Sequence, residues 1–368
     1  MSDPAPWRRR ALLRLALSLL AGAVALWLLS RGALPIVPSA EALAQVPWWA
    51  SGGYLLAYAF VHWIRAVRWR WLLAPLGEVS LARLTRVSFI GFAAIVVLPL
   101  RAGELVRPVL IRQETSISGW GAAGTIAAER VIDGLMVSVL LALGLVCSTP
   151  LDPLPTQIGE LTVPVRWIPK AAYLTLALFA CAMLAMALFY ARRQLARRLV
   201  SALFGWLSPR LGRFISARVE QLALGLGFLP KGRYAAPFLL LTLVYWLGNA
   251  AATQLLAVGC GLTGMDYFIA CVSMGVLALG ILMPNAPGYF GAFQISVYAS
   301  LALYFPLDEV TNRGAAFVFI QYVVQTGVTL LAALLAWLPG RRREAPSDGP
   351  PCPPPTNAEK LPERDVER

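Results

Sequence analysis

The sequence is short of charge. Only 14% of its 368 residues are Asp, Glu, Lys or Arg, where an average soluble chain carries roughly a quarter. Apolar residues make up 58% and mean hydropathy is +0.66, which excludes the two or three soluble domains that the length alone suggests. His62 is the single histidine, with no second His or Cys close to it in sequence; it reads as an interfacial residue beside Trp63. The five cysteines (Cys147, Cys181, Cys260, Cys271 and Cys352) are scattered, without a CxxC spacing. Neither a disulfide framework nor a metal site is predicted, and no cofactor is implied. There is no GxxxxGK[ST] phosphate loop, so nucleotide-driven movement is excluded. No Asp-x-Asp occurs either, and a metal-dependent lipid-modifying transferase usually needs such an acidic cluster.

What the chain has instead are apolar runs of about twenty residues, the length that crosses a ~30 Å hydrocarbon core. Six read as full spans: Ala11–Ser30, Trp48–Trp69, Gly119–Cys147, Trp167–Tyr190, Pro237–Val258 and Asn312–Leu338. The first is expected to be retained, because the small-residue site Pro38-Ser39-Ala40 has proline where a cleavage site wants a small residue. Two more segments break in the middle. Leu81–Leu98 is interrupted by Pro99-Leu100-Arg101-Ala102-Gly103 and resumes as Glu104–Arg112. Tyr267–Met283 is interrupted by Pro284-Asn285-Ala286-Pro287-Gly288 and resumes as Gly291–Phe305. Proline removes a backbone donor and glycine permits reversal, while backbone groups freed at membrane depth need protein or a wet cavity beside them. The fold class is therefore an all-α polytopic membrane protein with about six full spans and two re-entrant helical hairpins. The alternative is eight spans with proline kinks.

The basic excess, +13 from 32 Lys and Arg against 19 Asp and Glu, would point to nucleic acid in a soluble protein. If both broken segments return to the side they came from, 27 of the 32 basic residues fall on one side, including Arg65 and Arg68 and the loop 191–236. Four fall on the other side and Arg130 lies within a span. By the positive-inside rule both termini are cytoplasmic, and no nucleic-acid partner is expected. The organisation is then a basic N-terminus (1–10), a membrane domain (11–338) and a disordered tail (339–368), rich in proline and charge. The same topology opens the first hairpin to the cytoplasm and the second outward, the sequence signature of an inverted-repeat transporter.

Several charges are costly where they stand. Glu129, Arg130 and Asp133 sit at the cytoplasmic end of Gly119–Cys147; intramembrane charges normally pair or serve a pathway. Glu129 and Asp133 share a helix face and Arg130 projects about 100° away, so Arg130 cannot serve both, and the arginines of the first break are the expected partners. At that break a helix starting near Gly103 aims free N–H groups into the gap, beside Arg101, Glu104 and Arg107. Arginine grips a phosphate bidentately, which suits an anionic headgroup; the blander reading is that Glu104 and Arg107, at i,i+3, neutralise each other. The second break carries no charge and offers Asn285, Gln294, Tyr289 and bare backbone, as at Gly288, for a gate or far wall.

These residues resemble the flippase-like transmembrane domain of lysylphosphatidylglycerol synthase, the multiple peptide resistance factor. The resemblance rests on Gly91-Phe92 leading to Pro99-Leu100-Arg101-Ala102-Gly103-Glu104 and Arg107-Pro108, on Glu129-Arg130 and Asp133, and on Pro284, Pro287-Gly288 and Gly291-Ala292-Phe293. It covers roughly Ala11 to Pro339. It implies movement of an anionic phospholipid or polyprenyl-linked lipid between leaflets of the plasma (inner) membrane. Only 30 residues follow (339–368), so the lysyl-transfer activity of bifunctional relatives is not carried over, and a transporter rather than an enzyme is expected. Other readings are a lipid-modifying transferase and a non-catalytic scaffold for a lipid or glycan synthase. Protein partners are then such a synthase or a second copy of the chain.

Overall fold

The computed structural model describes residues 34–98, 103–155, 165–192, 209–282 and 286–338, with Gln194 and part of 20–31. Among the described residues there is no strand. The principal helices are α1 (Gly22–Arg31), α2 (Trp48–Val67), α3 (Leu81–Val97), α4 (Val106–Glu114), α5 (Gly119–Cys147) and α6 (Ile168–Ala191). They continue as α7 (Pro209–Gly225), α8 (Gly232–Gly259), α9 (Tyr267–Gly280), α10 (Ala292–Leu301) and α11 (Arg313–Trp337). These helices belong to one compact unit that ends at Trp337. The tail expected over 339–368 lies outside the described residues.

Among the described residues four helical segments are long and apolar enough to cross a bilayer: α5, α6, α8 and Leu307–Trp337, which contains α11. The chain is an all-α polytopic membrane protein. Apolar character without burial makes the point most directly on α6. Its Leu174, Leu178, Leu184 and Leu188 are exposed, and burying such side chains is worth about 1.5–3 kcal/mol each, so lipid is the solvent that suits them. It packs on α5, where the Phe179 ring lies so close to Gly134 that a Cβ there would fall 2.1 Å from it.

Both broken segments fold back on themselves. In the first, a Cβ on Gly103 would lie 2.1 Å from the Ala94 carbonyl carbon, Gly91 lies under the Arg107 stem, and Arg86 pairs with Glu114 at 2.5 Å. As the position number rises on α4 it falls on α3, so the arms are antiparallel. In the second, Gly280 lies against Ser296, and Ser300 Oγ donates to Ser273 Oγ at 3.0 Å; α9 and α10 are likewise antiparallel. The arms, of 17 and 9 residues in the first hairpin and 14 and 10 in the second, measure about 13–26 Å at 1.5 Å per residue, each short of a ~30 Å core. The second tip turns with Gly288 (φ 75°), Tyr289 (φ 58°) and Gly291 (φ 84°) in the left-handed region, which glycine enters without a Cβ penalty.

Helix α5 orients the two hairpins. At 29 residues it is about 43 Å long. Near its start Gly119 lies against Arg112 of the first hairpin, and near its end Gly144 lies against Phe268 and Val272 of the second. The two hairpin bases thus stand at opposite ends of one helix and their tips point toward each other. Tyr289 of the second tip packs with Phe92 and Ile95 of the first. Helix α7, from the basic loop, docks along the start of α5 by close approach of Gly124 and Gly225, with Ser118 Oγ donating to Gln221 Oε1 at 2.8 Å. His62 is buried rather than interfacial, ringed by Phe89 and Phe92.

Candidate functional site

The site begins where α2 ends. Val61, Ile64 and Arg68 follow helical spacing along one buried face, and the chain continues at once into the short helix Trp69–Leu73, with Trp69, Leu72 and Leu73 buried. Arg68 is therefore enclosed, with 0% exposure. Its guanidinium forks onto Asp133, Nη1 to Oδ1 and Nη2 to Oδ2, both at 2.5 Å. It also donates to Glu129 Oε1 at 3.2 Å and Thr242 Oγ1 at 3.1 Å. Arg107, 1% exposed, donates through Nη1 to Glu129 Oε2 at 3.0 Å and lies over the Trp69 ring at 4.1 Å. Trp246 Nε1 adds a 3.2 Å hydrogen bond to Asp133 Oδ1. A fork onto a carboxylate is the strong form of a charge-assisted pair, and in an apolar surround each carboxylate requires such a partner.

Two charge assignments change. Arg65 and Arg68, expected among cytoplasmic loop charges, belong to the interior: Arg68 is buried in the cluster and Arg65 is half-buried over the Phe92 ring at 4.1 Å. Glu129, Arg130 and Asp133, expected at the end of a span, are the eleventh, twelfth and fifteenth of 29 helical residues. At about 43 Å helix α5 is longer than a ~30 Å hydrocarbon core, and the charges stand near its middle. Arg68, which sequence reasoning missed, does what Arg130 cannot and serves both carboxylates.

Within this cluster the two buried arginines, Arg68 and Arg107, offset Glu129 and Asp133. Two cations remain. Arg130, with 27% of its side chain exposed, reaches Glu129 Oε1 at 3.3 Å. Arg65 has no ion pair among the described residues. Both face a cavity of about 450 Å³. Its charged lining is Arg65, Glu104, Arg130 and Asp133; its apolar lining is Met274, Leu277, Ile281, Leu282 and Phe293 of the second hairpin; the rings of Tyr58, Phe92, Tyr245 and Trp246 line it too. Ile95 and Val96 of the first tip and Tyr289 of the second also line it. Among the described residues no group of three His, Cys, Asp or Glu could hold a metal ion.

Of the residues singled out in the sequence, Glu104, Arg130 and Asp133 line the cavity, and Glu129 and Arg107 lie behind it in the ion cluster. Gly103 closes the first hairpin against Ala94. Gly288 turns the second tip. Gln294 is buried and its Oε1 accepts from the Gly291 N–H at 2.7 Å, capping α10. Arg101 and Asn285 lie outside the described residues.

The family described as the lysylphosphatidylglycerol synthase TM region matches residues 12–333. The chain belongs to this family. A curated relative of this lysylphosphatidylglycerol synthase TM region chain, Glycosyltransferase AglD of Haloferax volcanii, is 27% identical over 294 residues, which is 74% of the chain and 46% of the relative. The chain thus spans about half the length of the curated relative it matches. No solved structure matches. The match corrects one expectation: a non-enzyme was expected, and a relative of the chain is named a glycosyltransferase. Family and relative together support a membrane function related to lipids or glycans.

Proposed function

We propose that the chain binds an anionic membrane lipid in the cavity between the hairpin tips and moves it between leaflets. The observation that carries this reading is the cavity's composition: two arginines beyond those the buried carboxylates require, in one cavity with aromatic rings and the apolar side chains of the second hairpin. Arg65 and Arg130 hold the phosphate, as arginine does bidentately, and the apolar lining takes the first carbons of the lipid chains. At about 450 Å³ the cavity holds a headgroup rather than a whole lipid, so the chains extend into the bilayer. Opposed hairpins allow the headgroup to be reached from either face in turn, the arrangement of inverted-repeat transporters. Movement is downhill, ion-coupled or driven by a partner such as a lipid or glycan synthase. The protein sits in the inner membrane with both termini cytoplasmic, the orientation that the positive-inside rule assigns.

The name of the relative favours a second reading, in which the same cavity presents a lipid to a glycan-transferring domain or partner. Reconstitution separates the two. Purified protein in liposomes containing a fluorescent anionic phospholipid is expected to expose the inner-leaflet label to an external quencher faster than empty liposomes do. Binding of the lipid without accelerated exposure, across several anionic lipids, would refute translocation and leave presentation.

A further inference from the structure

The ring of Phe92 connects parts of the site that the ion cluster leaves separate. Phe92 shares the buried face of α3 with Ser88, Gly91 and Ile95, and the stem of Arg107 crosses that face over Gly91. Phe92 is 1% exposed, and its ring meets groups from two other helices. The Arg65 guanidinium of α2 lies over it at 4.1 Å and the Arg107 guanidinium of α4 at 5.2 Å. Arg107 has two further anchors, Glu129 at 3.0 Å and the Trp69 ring at 4.1 Å. Arg65 has no ion pair among the described residues, and the aromatic face is the partner that the fold gives its charge. A cation is drawn to such a face, more strongly where water is excluded.

The second tip reaches the same ring. Tyr289 packs against Ala66, Phe92 and Ile95 and lines the cavity. It does so from the left-handed region (φ 58°), where it is the single non-glycine among the described residues. Such a conformation is uncommon for a residue with a side chain and persists where the surroundings over-determine it. A glycine at 289 would turn the chain without strain, so the ring rather than the turn accounts for a tyrosine there. The next residue, Phe290, meets Tyr322 of α11 with ring centroids 6.2 Å apart. The second tip is thus held between α11 and the first hairpin.

We propose that Phe92 positions Arg65 and that Tyr289 sets Phe92: with the tips together Arg65 is held in the cavity, and with the second tip withdrawn it is not. This rests on the lipid-binding reading above and adds its regulation, because the cavity then grips an anion only while the tips touch. The coupling is reciprocal, so a bound phosphate draws the tips together by the same factor. Release then needs only separation of the tips and leaves the Arg68 fork intact.

The test is a mutant cycle on the full chain in phosphatidylcholine nanodiscs, read as affinity for fluorescent phosphatidylglycerol. Phe92→Leu keeps an apolar side chain without the aromatic face and is expected to weaken binding about tenfold. Phe92→Tyr keeps the face and is expected to bind as wild type does. Arg65→Gln should weaken binding in the wild-type background and add nothing in Phe92→Leu, whereas Arg130→Gln should weaken both alike. Tyr289→Asn removes the ring of the second tip while tolerating the left-handed backbone; it should weaken binding about fivefold, again without adding to Arg65→Gln. A ring that serves packing alone would lower the melting temperature and leave the Arg65→Gln loss undiminished in Phe92→Leu, and that result would overturn the positioning role. Tyr289→Asn binding as wild type, or adding its full loss to that of Arg65→Gln, would overturn the link to the second tip. Tyr289 is half-buried, so this variant carries the test if Phe92→Leu does not fold. Wild-type chain that binds fluorescent phosphatidylglycerol no better than fluorescent phosphatidylcholine would instead overturn the lipid-binding reading.

Discussion

Replacing Arg68 with methionine tests whether the ion cluster is what ties the first hairpin and α5 to the end of α2. Arg68 is wholly buried and makes two 2.5 Å bonds to Asp133, one to Glu129 and one to Thr242. Methionine has a similar stem and no charge, so Asp133 keeps only Trp246 and Glu129 keeps Arg107 and the peripheral Arg130. Breaking a buried pair by removing one partner costs about 3–5 kcal/mol, most of it the penalty of the stranded charge. At roughly 2 °C per kcal/mol for a chain of this size, Arg68→Met should melt about 6–10 °C below wild type in detergent, read by intrinsic tryptophan fluorescence. The control is Arg68→Met with Asp133→Leu, which removes both ends of the fork and should recover more than half of the loss, because no carboxylate is stranded by the fork's removal. A shift of less than 2 °C in the single variant, or a double variant that melts lower still, would refute the reasoning.

Three other outcomes follow from the geometry. Gly103→Ala places a Cβ 2.1 Å from Ala94 backbone atoms, which no rotamer relieves; a loss of about 2–3 kcal/mol is expected, seen as lower melting and poorer yield. Ser273→Cys with Ser300→Cys should form a disulfide on mild oxidation, visible by mass spectrometry, because the hydroxyls are 3.0 Å apart. In a kinked through-span the same residues would be about 40 Å apart and would stay reduced. Gly288→Ala, at φ 75°, should destabilise by about 1 kcal/mol, and slower lipid translocation without loss of lipid binding would mark the tip as the moving part.

Much of this architecture was legible as text. The segment Gly119–Cys147 was delimited by its apolar run and is the observed helix end to end. The Pro and Gly clusters marked both reversals because few other residues permit them. Depth was harder to read. The charges of α5 read as a helix-end set because the apolar run follows them, whereas they stand eleventh to fifteenth of 29 helical residues. Arg68 reads from the sequence as a loop charge because the apolar run ends near Trp69, and nothing local says that Trp69, Leu72 and Leu73 are buried. The spacing of Arg68 after Val61 and Ile64 was the available signal. Gln294 carries a signal of its own, three residues after Gly291 and thus at the position that caps a helix start, and its bond from the Gly291 N–H makes it a cap rather than a cavity group. Gln325, Thr326 and Thr329 of α11, which line the cavity, had no sequence signal, because a Gln and two Thr in an apolar helix acquire meaning only from the cavity they line.

The central claim is that the two cations left over by the buried pairs hold an anionic lipid during its passage. The double variant Arg65→Gln with Arg130→Gln tests it most directly, since Arg68 and Arg107 still offset Glu129 and Asp133 and the fold should melt within about 2 °C of wild type. In liposomes that variant is predicted to translocate fluorescent anionic phospholipid at least tenfold more slowly than wild type. Translocation at the wild-type rate by the folded variant would contradict the claim.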